Sequence, residues 1–83
     1  MYEVVVKKSA HKNLKKIDNR YRKRILSALC VLETEPYLGK PLKGEFAGFY
    51  SLRVWPYRII YTVYAQKLMV FVIDINHRQG VYA

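Results

Sequence analysis

The 83-residue sequence predicts an α+β fold in which an N-terminal strand and an α-helical hairpin precede a three-stranded antiparallel meander forming a small sheet. Three observations carry this reading. Apolar residues recur at helical spacing between Ala10 and Leu32, β-branched and aromatic residues crowd into short runs after Phe49, and Pro and Gly punctuate the stretch between. No internal repeat, low-complexity tract or linker divides the chain, so residues 1–83 are read as one domain.

Tyr2 to Val6 is rich in β-branched side chains and reads as the first strand. Ser9 is then placed to cap a short helix over Ala10–Ile17, where Ala10, Leu14 and Ile17 form the apolar stripe and His11, Lys12, Lys15 and Lys16 a basic outer face. Asp18 and Asn19 are capping residue types. After them Tyr21, Ile25, Ala28, Leu29 and Leu32 mark one face of a second helix that runs to about Glu33 and must stop before Pro36. A joint this short makes the helices an antiparallel pair whose apolar faces need a sheet to cover them. Pro36, Gly39, Pro41, Gly44 and Gly48 then fill a connection of about a dozen residues, long enough to suggest a function. The strands of the meander are Phe49–Val54, Tyr57–Tyr64 and Leu68–Ile75. The last is apolar from Leu68 to Ile73, as expected of an interior strand covered on both faces.

If Trp55-Pro56 is a two-residue turn, Val54 faces Tyr57 and Arg53 lies directly opposite Arg58. Like charges about 6 Å apart at an effective dielectric near 20 repel by about 2–3 kcal/mol, a cost that a phosphate between them removes. Pro at the second turn position leaves two possibilities. Either the Trp55-Pro56 bond is cis in a type VI turn, or the loop is wider and a one-residue slip sends the arginines to different faces.

A formal charge of +9 and a pI near 9.9 point to a polyanionic partner, with nucleic acid ahead of an acidic protein and an anionic membrane third. Cys30 is the one cysteine, which excludes an intrachain disulfide, and its apolar neighbours read it as a small buried hydrophobe. With no signal peptide and no membrane-length apolar run, a soluble cytoplasmic protein is expected. Neither a zinc-like Cys or His spacing nor a Gly-rich phosphate loop is present, so no metal and no cofactor are expected.

Period-two alternation puts Leu52, Val54, Tyr57 and Ile59 on the face covered by the helices, and Ser51, Arg53, Arg58 and Ile60 on the other. There Arg53, Arg58, His77, Arg78 and Tyr82 are expected to line a groove suited to phosphoryl transfer on RNA. Guanidinium groups grip phosphate oxygens bidentately, while His77 and Tyr82 are the candidates for moving protons, with stacking on a base a further role for Tyr82. Blander readings stay open: a solvated arginine face meeting an acidic peptide, a structural His77, and a Tyr82 that pads the sheet. Lys12, Lys15, Lys16 and Arg20, with Lys43, are read as phosphate-attracting surface rather than as catalysts.

These residues resemble the RelE/ParE superfamily of bacterial and archaeal toxins over nearly the whole chain. The likeness is carried by Pro41-Leu42-Lys43-Gly44, Leu52-Arg53-Val54, Tyr57-Arg58-Ile59-Ile60-Tyr61 and His77-Arg78 followed by Val81-Tyr82. It implies a helical hairpin packed on a small antiparallel sheet, and a cognate antitoxin whose acidic or amphipathic segment wraps a monomeric toxin and blocks the basic groove. For the RelE branch it implies metal-free cleavage of mRNA on the ribosome. Arg53 and Arg58 then match the positions that stabilise the cleaved phosphate, Arg78 the arginine near the leaving group, and Tyr82 the tyrosine that engages the substrate. For the ParE branch it implies inhibition of DNA gyrase without nuclease activity. Ser51 stands where RelE-type enzymes often carry a lysine, Trp55-Pro56 replaces the usual Gly-Asp-like turn, and with nothing after Ala83 the C-terminal helix of some relatives is not expected.

Overall fold

A computed structural model of the protein describes residues 1–77. The elements are β1 (Glu3–Val6), α1 (Lys8–Lys16), α2 (Asn19–Leu32), β2 (Lys40–Pro41), β3 (Phe49–Val54), β4 (Tyr57–Tyr64) and β5 (Met69–His77), with 3₁₀ turns at Gly44–Phe46 and Ala65–Lys67. The strands form one sheet in the order β1-β5-β4-β3-β2. β2 to β5 pair antiparallel as a meander, but β1 lies parallel to β5, so the sheet is mixed rather than wholly antiparallel. Parallel pairing needs a long crossover, and the helices and meander between β1 and β5 supply it.

The helical stripes close one face of the sheet. Ala10, Leu14 and Ile17 from the first helix and its end, and Ile25, Leu29 and Leu32 from the second, share a buried cluster with Ile59, Tyr61, Val70, Val72 and Ile75. Asp18 caps α2 as its residue type implies, its side chain accepting a hydrogen bond from the Arg20 N–H at 2.9 Å. Ser9 does not cap α1. That helix begins two residues earlier, at Lys8, with Lys7 at the capping position and no side-chain bond there. Cys30 is exposed rather than buried, because the face of α2 turned to the sheet is taken by Ile25, Leu29 and Leu32 and the next position rotates away from it.

β5 is an interior strand, flanked by β1 and β4. It is fully covered on one face only: Val70 and Val72 are buried, whereas Met69, Phe71 and Ile73 are half-buried. A bulge interrupts its pairing with β4, since Ile60 faces Asp74 while Tyr61 faces Val72, leaving Ile73 as the extra residue. One inserted residue inverts the alternation beyond it. Ile75 therefore returns to the helix-covered side, opposite Ile59, and Asp74 and Asn76 point to the other. Where β1 has ended, Asn13 of α1 reaches the edge of β5, its amide 3.4 Å from both the Ile75 carbonyl and the Asp74 carboxylate.

The two capping assignments can be separated by experiment. Asp18→Ala is expected to lower the unfolding free energy by about 1 kcal/mol, and Ser9→Ala to change it by less than about 0.5 kcal/mol, as read from urea midpoints.

Candidate nucleic-acid interface

The β3–β4 hairpin turns on Trp55-Pro56 alone, the peptide between them is cis, and the register does not slip. Val54 faces Tyr57 and Arg53 faces Arg58. Tyr50, Leu52, Val54 and Tyr57 pack against the helix-side core, so period two sends Ser51, Arg53 and Arg58 to the opposite face. Arg53 is exposed and Arg58 half-buried. Both line an open cleft of about 410 Å³ together with Lys40, Ser51, Leu38 and Leu42. The residues that line it include three cations and no Asp or Glu among the described residues, so its field favours an anion.

Lys40 is the residue that sequence reasoning missed. It sits in β2, directly opposite Ser51, and so on the same face of the sheet as Arg53. A two-residue strand between Gly39 and Leu42 has no periodicity to read. A signal did exist in hindsight, since a Pro at the edge of a sheet is compatible with pairing on one side only, as Pro41 does here with Tyr50.

The segment that carries Lys40 is anchored from below. The Gly39 N–H donates to the Tyr61 hydroxyl at 2.8 Å. A Cβ at Gly39 would lie 2.8 Å from that hydroxyl and 3.1 Å from the Ser51 carbonyl, so this close approach requires glycine. Tyr61 is fully buried, Tyr50 stacks on it with ring centroids 5.4 Å apart, and Tyr37 meets Tyr50 edge-on at 5.7 Å. Burial raises the Tyr61 pKa above 10.0; the Gly39 hydrogen bond opposes the rise and nearby Tyr50 adds to it.

The expected groove of five residues is not one group. His77 pairs with Tyr57 on the helix-covered face, its ring edge-on to that tyrosine at 5.5 Å, and lines a separate depression with Asn13, Lys16 and Asn76. The bulge at Ile73 is the physical reason, because unbroken alternation from Val72 would have carried His77 to the arginine side. Arg78 and Tyr82 lie outside the described residues. Lys12, Lys15 and Lys16 are exposed on α1, in the helical layer rather than on the arginine face. Arg20 is held near Asp18 at 3.7 Å and over the Tyr21 ring at 5.2 Å, and Lys43 is exposed just before the first 3₁₀ turn, outside the cleft lining. Among the described residues no three His, Cys, Asp or Glu side chains come together as a metal site, and no helix is long and apolar enough to cross a membrane.

Fold and sequence together define the class. The chain belongs to the RelE/ParE toxins of type II toxin–antitoxin systems: the family model described as the ParE toxin of the parDE system matches residues 4–82. Toxin RelG of Mycobacterium tuberculosis is 31% identical over 83 residues, spanning 98% of this chain and 95% of the relative. The structure is similar to the toxin–antitoxin complex RelBE2 of the same organism, with a TM-score of 0.87 and 30% identity over 93% of this chain and 98% of the other. It shares its fold with the isolated E. coli RelE toxin, at a TM-score of 0.77 and 24% identity over 93% of this chain and 84% of that one.

Removing the Tyr61 hydroxyl tests the anchor. Tyr61→Phe leaves the buried Gly39 N–H without its acceptor and is expected to cost about 1–3 kcal/mol at neutral pH. A raised pKa means that the folded protein holds this proton more tightly, so its contribution is complete below the unfolded value of 10.0 and is lost as pH rises through the folded one. Urea unfolding from about pH 9 to 11 should therefore show the parent losing stability faster than Tyr61→Phe, whose curve lacks that ionisation.

Proposed function

We propose that the protein is a ribosome-dependent mRNA endonuclease that stops translation and is held inactive by a cognate antitoxin. The observation that carries the reading is the cross-strand pair Arg53 and Arg58, which shares with Lys40 one cleft whose described lining residues include no Asp or Glu. In this reading the ribose 2′-oxygen attacks the adjacent phosphorus as its proton leaves to a base, and the 5′-oxygen departs with a proton. The products are a 2′,3′-cyclic phosphate and a 5′-hydroxyl end. The negative charge that builds on the equatorial phosphate oxygens needs fixed positive partners, and guanidinium groups keep their charge and offer paired N–H donors. Arg53 and Arg58 fill that role. Arg78 and Tyr82 act at the leaving group and on the substrate base, as the family resemblance implies, and Lys12, Lys15, Lys16, Arg20 and Lys43 attract the polyanion without chemistry.

The likeness to RelG and to a RelBE2 complex supports the RelE-type activity and the antitoxin partner. The match to the ParE model favours a second reading, a DNA gyrase inhibitor that cuts nothing. Mapping mRNA 5′ ends after induction separates the two. Codon-phased breaks are the expected result, while a DNA-damage response with intact mRNA would give the protein to the gyrase reading.

Arg58→Ala is expected to lower the cleavage rate by about 10²-fold or more and to abolish growth inhibition, in a protein that remains folded and still binds its antitoxin. Undiminished toxicity would remove Arg58 from the mechanism. Cleavage should also persist in EDTA when the ribosomes are held intact by polyamines, and a cut that itself required Mg²⁺ would contradict the metal-free scheme.

A further inference from the structure

We infer that Lys40 is a phosphate ligand of the cleft, its ammonium contacting a backbone phosphate of the RNA held by Arg53 and Arg58. The inference rests on the reading of that cleft as an RNA site and adds to it a residue from a different element. Three independent constraints bring Lys40 there. Its pairing with Ser51 sets the face, and alternation along β3 from Ser51 to Arg53 makes that face the arginine face. The Gly39 N–H bond to buried Tyr61 pins the residue before it, with no room for a larger side chain. The hydrogen bond from the Leu42 N–H to the Phe49 carbonyl, 2.9 Å, secures the chain two residues after it. A lysine at such a site is a point charge on a four-carbon stem, suited to following a phosphate rather than dictating its orientation. Division of labour follows: the paired guanidinium groups orient one phosphate, and Lys40 draws in the backbone beside Ser51, at the edge of the sheet.

Its opposite neighbour supplies the control. A lysine at position 51 would leave the same face one strand away, within about 5 Å at Cβ, so the charge can be moved without altering the fold. The probe is a short 2′-O-methyl RNA, which the protein can bind but not cut, titrated at several salt concentrations. Lys40→Ala is expected to weaken binding about tenfold at low salt and to reduce the slope of log K against log salt by about 0.7, the loss of one phosphate contact on a single strand. Lys40→Arg and the double variant Lys40→Ala/Ser51→Lys should recover most of both. Lys67→Ala, at the far β4–β5 turn, should change neither beyond its general charge effect. An unchanged slope in Lys40→Ala, or no RNA binding by the parent at low salt, overturns the inference.

Ribosomal cleavage, measured in parallel, keeps the two claims apart. A parent that cuts mRNA beside a Lys40→Ala slope that does not move leaves the endonuclease standing and removes Lys40. A parent that cuts nothing, with the slope reduced and restored by Ser51→Lys, keeps Lys40 as an anion ligand and removes the endonuclease.

Discussion

Two positive charges facing each other across a hairpin are the constraint around which this small protein is organised. Arg53 and Arg58 are nearest cross-strand neighbours, and any pairing register one residue away would separate them. The turn cannot drift, because apolar partners on the other face lock it: Leu52 opposite Ile59 and Tyr50 opposite Tyr61, with Ile59 and Tyr61 fully buried beneath the helices. Hydrophobic burial on one side of the sheet thus holds in place the arrangement of charges on the other. The helices have little direct part in the cleft. Their role is to make slippage of β3 against β4 costly, since a slip would turn Leu52 and Val54 outward and arginines into the core.

The tyrosines extend the same logic to the connecting segment. Tyr61 is a core residue by burial, yet its hydroxyl serves the chain outside the core by accepting the Gly39 N–H. Through that bond and the short β2 pairing, a stretch rich in Pro and Gly acquires a defined place beside Ser51. Tyr37 and Tyr50 continue the stack outward from Tyr61, so aromatic packing rather than regular secondary structure orders residues 36 to 39. Lys40 is consequently carried on a braced edge, although its own side chain is exposed.

Much of this was legible in advance, and the parts that were not share a cause. The helical stripes, the three meander strands and the Arg53–Arg58 register follow from periodicity, which the chain obeys closely between Phe49 and Tyr64. His77 was misplaced because a bulge at Ile73 shifts parity, and a run in which Leu68 to Ile73 are all apolar offers no alternation in which to see it. Lys40 was missed because β2 is too short to have a pattern. The parallel pairing of β1 is a long-range fact that no local window contains. Ser9 and Cys30 failed for a simpler reason: residue type favoured a cap and apolar sequence neighbours a buried site, and the helix start and helix face decided otherwise.

The displacement of His77 bears on how such a site would work. With the imidazole turned to the helix side, the described part of the cleft is rich in fixed positive charge, and the one hydroxyl among its lining side chains, that of Ser51, is no base at neutral pH. Charge stabilisation of this kind contributes about 10²–10³-fold per oriented donor. It does nothing to bring a flexible 2′-oxygen in line with the scissile bond, a step for which intramolecular alignment is the larger contribution. In the endonuclease reading that alignment must be imposed from outside the cleft, by a surface that already holds the RNA backbone in an extended, bent or splayed form. An mRNA strand threaded through a ribosome is held in such a manner, whereas a free strand is not. Within the endonuclease reading, dependence on the ribosome would follow from a cleft whose described residues supply cations on a rigid hairpin and leave substrate geometry to a partner.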